Sequence, residues 1–277
     1  MFSGLELLEI PQLMLDKLDL VWSFMLLLVR YVALLLLTPG IGMGFQGLAV
    51  RMPAALILAC TSLIHSTYAQ VPLTVGHMLL QLGGELLFGT ALALIPLCLV
   101  SGVQAAGQIS SSTMGLGASQ LIDPTVGAPT SDVSRIMGDL TVIVFMLLGG
   151  HHVLLYAASG YGSSITPGSF IPTELTTALL VERSGAVFGL GVILSLPVVV
   201  ALLLTQFVMG LLSRAVPTVN IFIISFPLTI GIGLILTVLS LPELVGIVSK
   251  EVSGIEAAVD VVLRDTHQVV GDAAQSP

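Results

Sequence analysis

Val198-Val199-Val200-Ala201-Leu202-Leu203-Leu204 is apolar on every face, whether it is wound as a helix or drawn out as a strand. It lies inside residues 184–213, a run without any Asp, Glu, Lys or Arg. A helix needs about 20 such residues to cross the hydrocarbon of a bilayer. The same absence of charge recurs over 52–84, 86–122, 140–173 and 215–242, and Arg30 is the only charge between Asp19 and Arg51. An outer-membrane strand would alternate polar and apolar residues over about ten positions, which neither this stretch nor Leu34-Leu35-Leu36-Leu37 does. The pattern predicts an all-α, polytopic membrane protein of about six hydrophobic helices, near 18–37, 52–70, 76–100, 136–158, 184–212 and 218–240. Pro96, Pro197, Pro217, Pro227 and Pro242 each remove a ladder hydrogen bond, so bent helices are expected.

Composition agrees. Of 277 residues 55% are hydrophobic and 9% charged, with a mean hydropathy of +1.07. A water-facing surface needs about a quarter of its residues charged, so soluble enzymes are nearly excluded. The net charge of −8 offers no footprint for phosphate, which argues against nucleic acid and against a polybasic lipid clamp. Cys60 and Cys98 lie in apolar runs and read as small buried hydrophobes. The stretch before the first span is acidic, with Glu6, Glu9, Asp16 and Asp19 against Lys17, so no cleavable signal is expected. With six spans, Lys17, Arg183, Lys250 and Arg264 would face Arg51, Arg135 and Arg214 across the membrane, a balance that fixes no orientation.

Two segments break the spanning pattern. Val100 to Asp123 carries no charge, yet holds Gln104, Gln108, Ser110, Ser111, Ser112, Thr113 and Gln120 among Gly102, Gly107, Gly115 and Gly117. Glycine-broken polar backbone survives at membrane depth only when it is covered by protein or lines a water-filled path. A gate or re-entrant loop and an ordinary extramembrane loop are equally open readings of these residues. Past Pro242, Leu244, Val248, Val252, Ile255, Val259 and Val262 recur at spacings of four and three, which predicts an amphipathic helix over 243–268. It lacks a basic face, so it should dock on a partner protein or on its own bundle.

Chemistry is sparse. Gly42-Met43-Gly44-Phe45-Gln46-Gly47 has the letters of a dinucleotide fingerprint, but it follows an apolar helix and no acid appears before Glu85 to hold a ribose. His151 and His152 are adjacent and project about 100° apart on a helix, which disfavours one shared metal. No nucleophile elbow or HExxH frames a catalytic group, so neither enzyme activity nor a cofactor is expected. Arg30, Glu85 and Asp139 fall within or beside spans; structural ion pairs, or positions outside the true bilayer, are favoured over a proton relay. Gly185 and Gly189 form a small-xxx-small face, and Gly231 and Gly233 thin another helix, which permits close packing.

Residues 214–228, Arg214-Ala215-Val216-Pro217-Thr218-Val219-Asn220-Ile221-Phe222-Ile223-Ile224-Ser225-Phe226-Pro227-Leu228, resemble the signature of the FliR family of bacterial flagellar export-gate proteins, whose injectisome counterpart is SctT. Met114-Gly115 with Asp123-Pro124, Gly150-His151-His152, and Pro39, Gly42 and Arg51 resemble three further family segments. Thr113, Ser111 and Gly47 depart from it, standing where Gln, Gly and Pro are usual. The resemblance implies a non-enzymatic inner-membrane subunit of the flagellar basal body, assembled with FliP- and FliQ-type subunits in a helical stack of about five, four and one copies. Its first four spans would resemble a FliP subunit and its last two a FliQ subunit. An FlhB-type neighbour, membrane lipid and unfolded export substrates complete the implied partners.

On this reading the chain divides into N-terminal helices (1–99), a broken plug or gate segment with its loop (100–135), a fourth helix and loop (136–183), a helical hairpin (184–242) and a tail (243–277). Gln104, Gln108, Ser111, Ser112, Thr113, Met114, Gly115, Leu116, Asp123 and Pro124 would form the plug. Gly185, Gly189, Pro217, Asn220, Phe222 and Pro227 would pack subunits, and Val248, Val252, Ile255 and Val259 would dock a partner. An injectisome gate subunit and a secondary transporter are the alternatives; the transporter would require inverted repeats and buried ionisable ligands.

Overall fold

A computed structural model of the chain describes residues 6–40, 45–116, 131–160, 166–215 and 221–263. Every regular element among the described residues is helical: α1 (Glu6–Leu37), α2 (Phe45–Leu63), α3 (Val75–Met114), α4 (Asp132–Leu147), α5 (Gly150–Ser159), α6 (Glu174–Ala215) and α7 (Ile221–Ser253). After a turn at Gly254 a tail helix runs over 255–263. Among the described residues four helices are long and apolar enough to cross a membrane, five if the bent pair α4 and α5 is one span; α2 is a shorter apolar helix.

Several boundaries differ from expectation: α1 and α6 begin earlier, at Glu6 and Glu174, α2 ends at Leu63, and α7 runs on through Pro242 to Ser253 where a separate helix is expected from 243. The third span does not stop near residue 100, because helix α3 continues to Met114. Gly102 and Gly107 do not break it: each lies against a neighbouring helix, and that packing outweighs glycine's weak helix propensity. The fourth span is interrupted where Gly149 takes φ 75°, a left-handed conformation open to glycine at no steric cost. Pro53, Pro96, Pro197, Pro227 and Pro242 all sit inside helices without ending them.

The chain folds as two compact units, the first comprising residues 1–97, 149–181 and 254–277. Here α1 buries Leu26, Leu27, Tyr31 and Leu34, and α3 buries Phe88, Leu92 and Ile95, each set at helical spacing. Between them Arg30 Nε donates to Glu85 Oε2 at 2.5 Å and Nη2 to Oε1 at 2.9 Å, with neither side chain more than 1% exposed. Arg30 Nη1 donates to the Ala158 carbonyl at 2.9 Å, the Gly168 N–H donates to Glu85 Oε1 at 2.6 Å, and the guanidinium stands 4.8 Å from the Phe88 ring centroid. A buried ion pair repays its desolvation only with such additional bonds. This one ties α1, α3, α5 and the 166–171 segment together. The connection after α2 is stitched to α1 as well: Ala69 N–H donates to Ser23 Oγ at 2.7 Å and Val71 N–H to Asp19 Oδ1 at 2.8 Å.

The second unit comprises residues 98–148 and 182–253. Within it α6 buries Leu194, Val198, Leu202 and Met209, and α7 buries Thr229, Gly233, Thr237, Leu244, Val248 and Val252. The opposite stripe of α6, through Ile193, Leu196, Val200, Leu204, Phe207 and Leu211, is uncovered. Arg183 and Glu251 pair at 3.1 Å while partly exposed, a contact worth about 0–1 kcal/mol.

In the tail, Val248, Val252, Ile255 and Val259 are all buried within the chain itself. Glu256 and Asp260 occupy the exposed side of the helix.

Candidate gate segment and its seat

The polar, uncharged end of α3 is an interior helix. Val103, Ala106, Ser110 and Met114 form its buried stripe at steps of three and four. Because these side chains are small, neighbouring backbones come close. A Cβ on Gly107 would stand 2.6 Å from Ser134 Cα, and one on Gly138 would stand 2.5 Å from Gln104 Nε2. Ser134 Oγ donates to the Gln104 carbonyl at 2.7 Å, and the Ser131 N–H donates to Gln108 Oε1 at 3.0 Å. Ser131 in turn caps α4, accepting from the Ser134 N–H at 3.2 Å. Gln104, through its backbone carbonyl, and Gln108, through its side chain, are therefore engaged at the N-terminus of α4.

A helix leaves its last four carbonyls without intrahelical partners, and here all four are accounted for. Gly115 takes φ 87°, its N–H donates to the Ser112 carbonyl at 3.1 Å, and the Leu116 N–H donates to the Ser111 carbonyl at 3.2 Å. These are the two bonds of a Schellman cap. The remaining two carbonyls are met from other helices: Gln206 Nε2 of α6 donates to Thr113 O at 3.1 Å, and the Thr229 hydroxyl of α7 reaches Met114 O at 3.2 Å, its single proton shared with the Ser225 and Phe226 carbonyls at 3.0 and 3.2 Å. Between those bonds the Met114 side chain, 1% exposed, packs with buried Val198 and Leu202 and with Ile232 and Leu236. Gly233 provides the room, since a Cβ there would stand 2.5 Å from Met114 Cγ and 2.9 Å from Sδ. Phe226 covers Gly115, with ring carbon Cε1 3.1 Å from where a Cβ would be.

The expected plug residues thus separate. Ser111 and Met114 are buried, Gln104, Gln108, Thr113 and Gly115 half-buried, and Ser112 and Leu116 exposed. Asp123, Pro124, Pro217 and Asn220 lie outside the described residues, as does the side chain of Phe222. Pro227 is exposed within α7, and a Cβ on Gly185 or Gly189 would meet nothing within 4 Å. Sequence reasoning missed Gln206, Thr229, Ser131, Ser134 and Gly138, and read Gly233 only as a thinning position. Gln206 carried a signal, being the only amide in the apolar run 184–213. The histidine rings of residues 151 and 152 stack 4.0 Å apart, and among the described residues no group of three His, Cys, Asp or Glu could hold a metal.

These features define a class: an all-α, multi-span membrane protein whose most polar uncharged segment is a capped helix end seated between two long helices. Residues 21–255 match the family model for bacterial export proteins, family 1. The chain is 29% identical over 160 residues to the flagellar biosynthetic protein FliR of Pectobacterium carotovorum, covering 57% of this chain and 60% of that protein. It is 27% identical over 225 residues to FliR of Bacillus subtilis, covering 79% and 86%. With the Yop proteins translocation protein T of Yersinia pestis it shares 21% identity over 233 residues, covering 82% and 89%. The chain belongs to the FliR/SctT family of bacterial export proteins, and as such is a membrane component of a type III export apparatus.

Proposed function

We propose that the chain is a single-copy subunit of the flagellar export gate, forming with FliP- and FliQ-type subunits a plugged inner-membrane channel for unfolded flagellar proteins. The observation that carries this reading is the end of α3: an uncharged, polar helix terminus seated in its own unit, from which the chain runs on into residues 117–130. Neutral polar side chains with a flexible thioether among them can seal an aqueous path by packing and still give way to a passing chain. Flagellar relatives at 27% and 29% identity, against 21% for the Yersinia translocation protein, favour the flagellar apparatus over an injectisome. The transporter alternative is weakened, because Arg30 and Glu85 bind each other rather than facing a cavity as ligands. Chemical energy for export would come from other subunits, and an FlhB-type protein would be a neighbour.

Deleting residues 104–116 tests the plug. Cells carrying the assembled mutant complex should leak small ions, and unchanged permeability with normal assembly would count against the reading.

A further inference from the structure

The cap on α3 is unusual in its source. Two of its four terminal carbonyls are satisfied only by side chains from α6 and α7, Gln206 and Thr229. The side chain at the same turn, Met114, occupies a notch that exists because residue 233 lacks a Cβ. Withdrawing this turn from α6 and α7 would therefore break both hydrogen bonds and empty the notch in one movement. The Gly107 contact with Ser134 lies two turns earlier, so α3 can stay anchored on α4 while its last turn moves.

From this geometry we propose that the last turn of α3 is a latch, with Gln206, Thr229 and Gly233 as the positioning residues that hold the gate shut from outside the plug. The proposal rests on the plug reading above and adds which residues set the closed state. The two arms differ in shielding. The Thr229 contact and the Met114 notch are buried inside the chain, whereas Gln206 lies on an exposed face of α6 open to lipid or a neighbouring subunit, so Thr229 and the notch are the arms that this chain shields by itself.

The test is a reversible lock in the whole complex. Cys60 and Cys98 are replaced by Ser, and Met114→Cys is combined with Gly233→Cys. A cysteine sulfur at 114 would take the place of Met114 Cγ, which lies 2.5 Å from the Gly233 Cβ position, so the two cysteine side chains are close enough to be joined. Oxidation with copper phenanthroline should join the pair and stop flagellar export, and a reductant should restore it in the same cells. Equal export before and after reduction overturns the latch, as does failure of the pair to cross-link in the assembled complex. A second variant removes one arm without changing volume: Thr229→Val should raise potassium leak several-fold, while Thr229→Ser, which keeps the hydroxyl, should stay tight. Equal permeability of the two variants also overturns it. If deletion of 104–116 leaks while the latch variants do not, the plug stands and the latch falls; if the deletion is tight, the plug reading itself has failed.

Discussion

Glu85 brings a carboxylate to a place with no exposed surface, and four contacts around the pair explain how the fold tolerates it. Two come from Arg30, one from the Gly168 N–H, and the guanidinium makes a third bond to the Ala158 carbonyl. Removing one partner leaves the other buried and unpaired, at a cost of about 3–5 kcal/mol. Set against a typical net stability of about 5–15 kcal/mol, that is a large fraction. Glu85→Leu should therefore sharply lower the temperature at which the detergent-purified chain loses protease resistance. The paired replacement Arg30→Met with Glu85→Leu should recover most of the loss, since apolar packing can substitute for a buried pair. A single variant as stable as the parent would show that the pair contributes nothing. From the sequence the two charges were visible as intramembrane anomalies, but their partnership was not, because 55 positions separate them and nothing local records which helices meet.

Glycine positions along α3 show how an element's neighbours decide the sign of one substitution. Replacing glycine by alanine in a helix interior gains about 1 kcal/mol of propensity. At Gly83 a Cβ would meet nothing within 4 Å, so Gly83→Ala should stabilise the chain by roughly that amount. At Gly107 the same Cβ would stand 2.6 Å from Ser134 Cα and 3.0 Å from its amide nitrogen. Backbone cannot rotate away, and overpacking typically costs about 1–3 kcal/mol, so Gly107→Ala should be destabilising despite its better propensity. Thermal unfolding of the two variants in detergent, compared with the parent, checks the opposite signs; a shift in the same direction for both would refute the close crossing of α3 and α4. The same contrast explains what could be read beforehand. Apolar runs located all the long helices, since membrane hydrocarbon imposes one solvent on every face. The glycines at 102 and 107 read as a break, whereas they mark a helix that packs closely, and only tertiary contacts distinguish the two. Ser131 and Ser134, which complete the site, are short polar residues that look like ordinary loop and cap positions until α3 is laid beside them.

For the whole molecule the open question is what covers α6. Its uncovered stripe begins at Gly185 and Gly189 and continues through Ile193, Leu196, Val200, Leu204, Phe207 and Leu211, one helical face about seven turns long. Lipid tails and a neighbouring subunit are both apolar, so hydropathy cannot separate them, but they respond differently to volume. Lipid flows around a large side chain, whereas a packed helix cannot, and small residues at an interface are what let backbones approach. A Cβ at Gly189 would meet no atom of this chain within 4 Å, so Gly189→Trp should leave the chain's own folding intact, with the protease-resistant temperature of the isolated protein unchanged. If a FliP- or FliQ-type helix lies on this face, as the proposed export-gate assembly would place it, the same variant should fail to co-purify its partners, and native mass spectrometry would find the free chain in place of the complex. Phe188→Trp, beside it on the helix and itself 78% exposed, supplies the control for a bulky indole in the membrane. Normal assembly by Gly189→Trp would assign this face to lipid and move the subunit contact elsewhere on the chain.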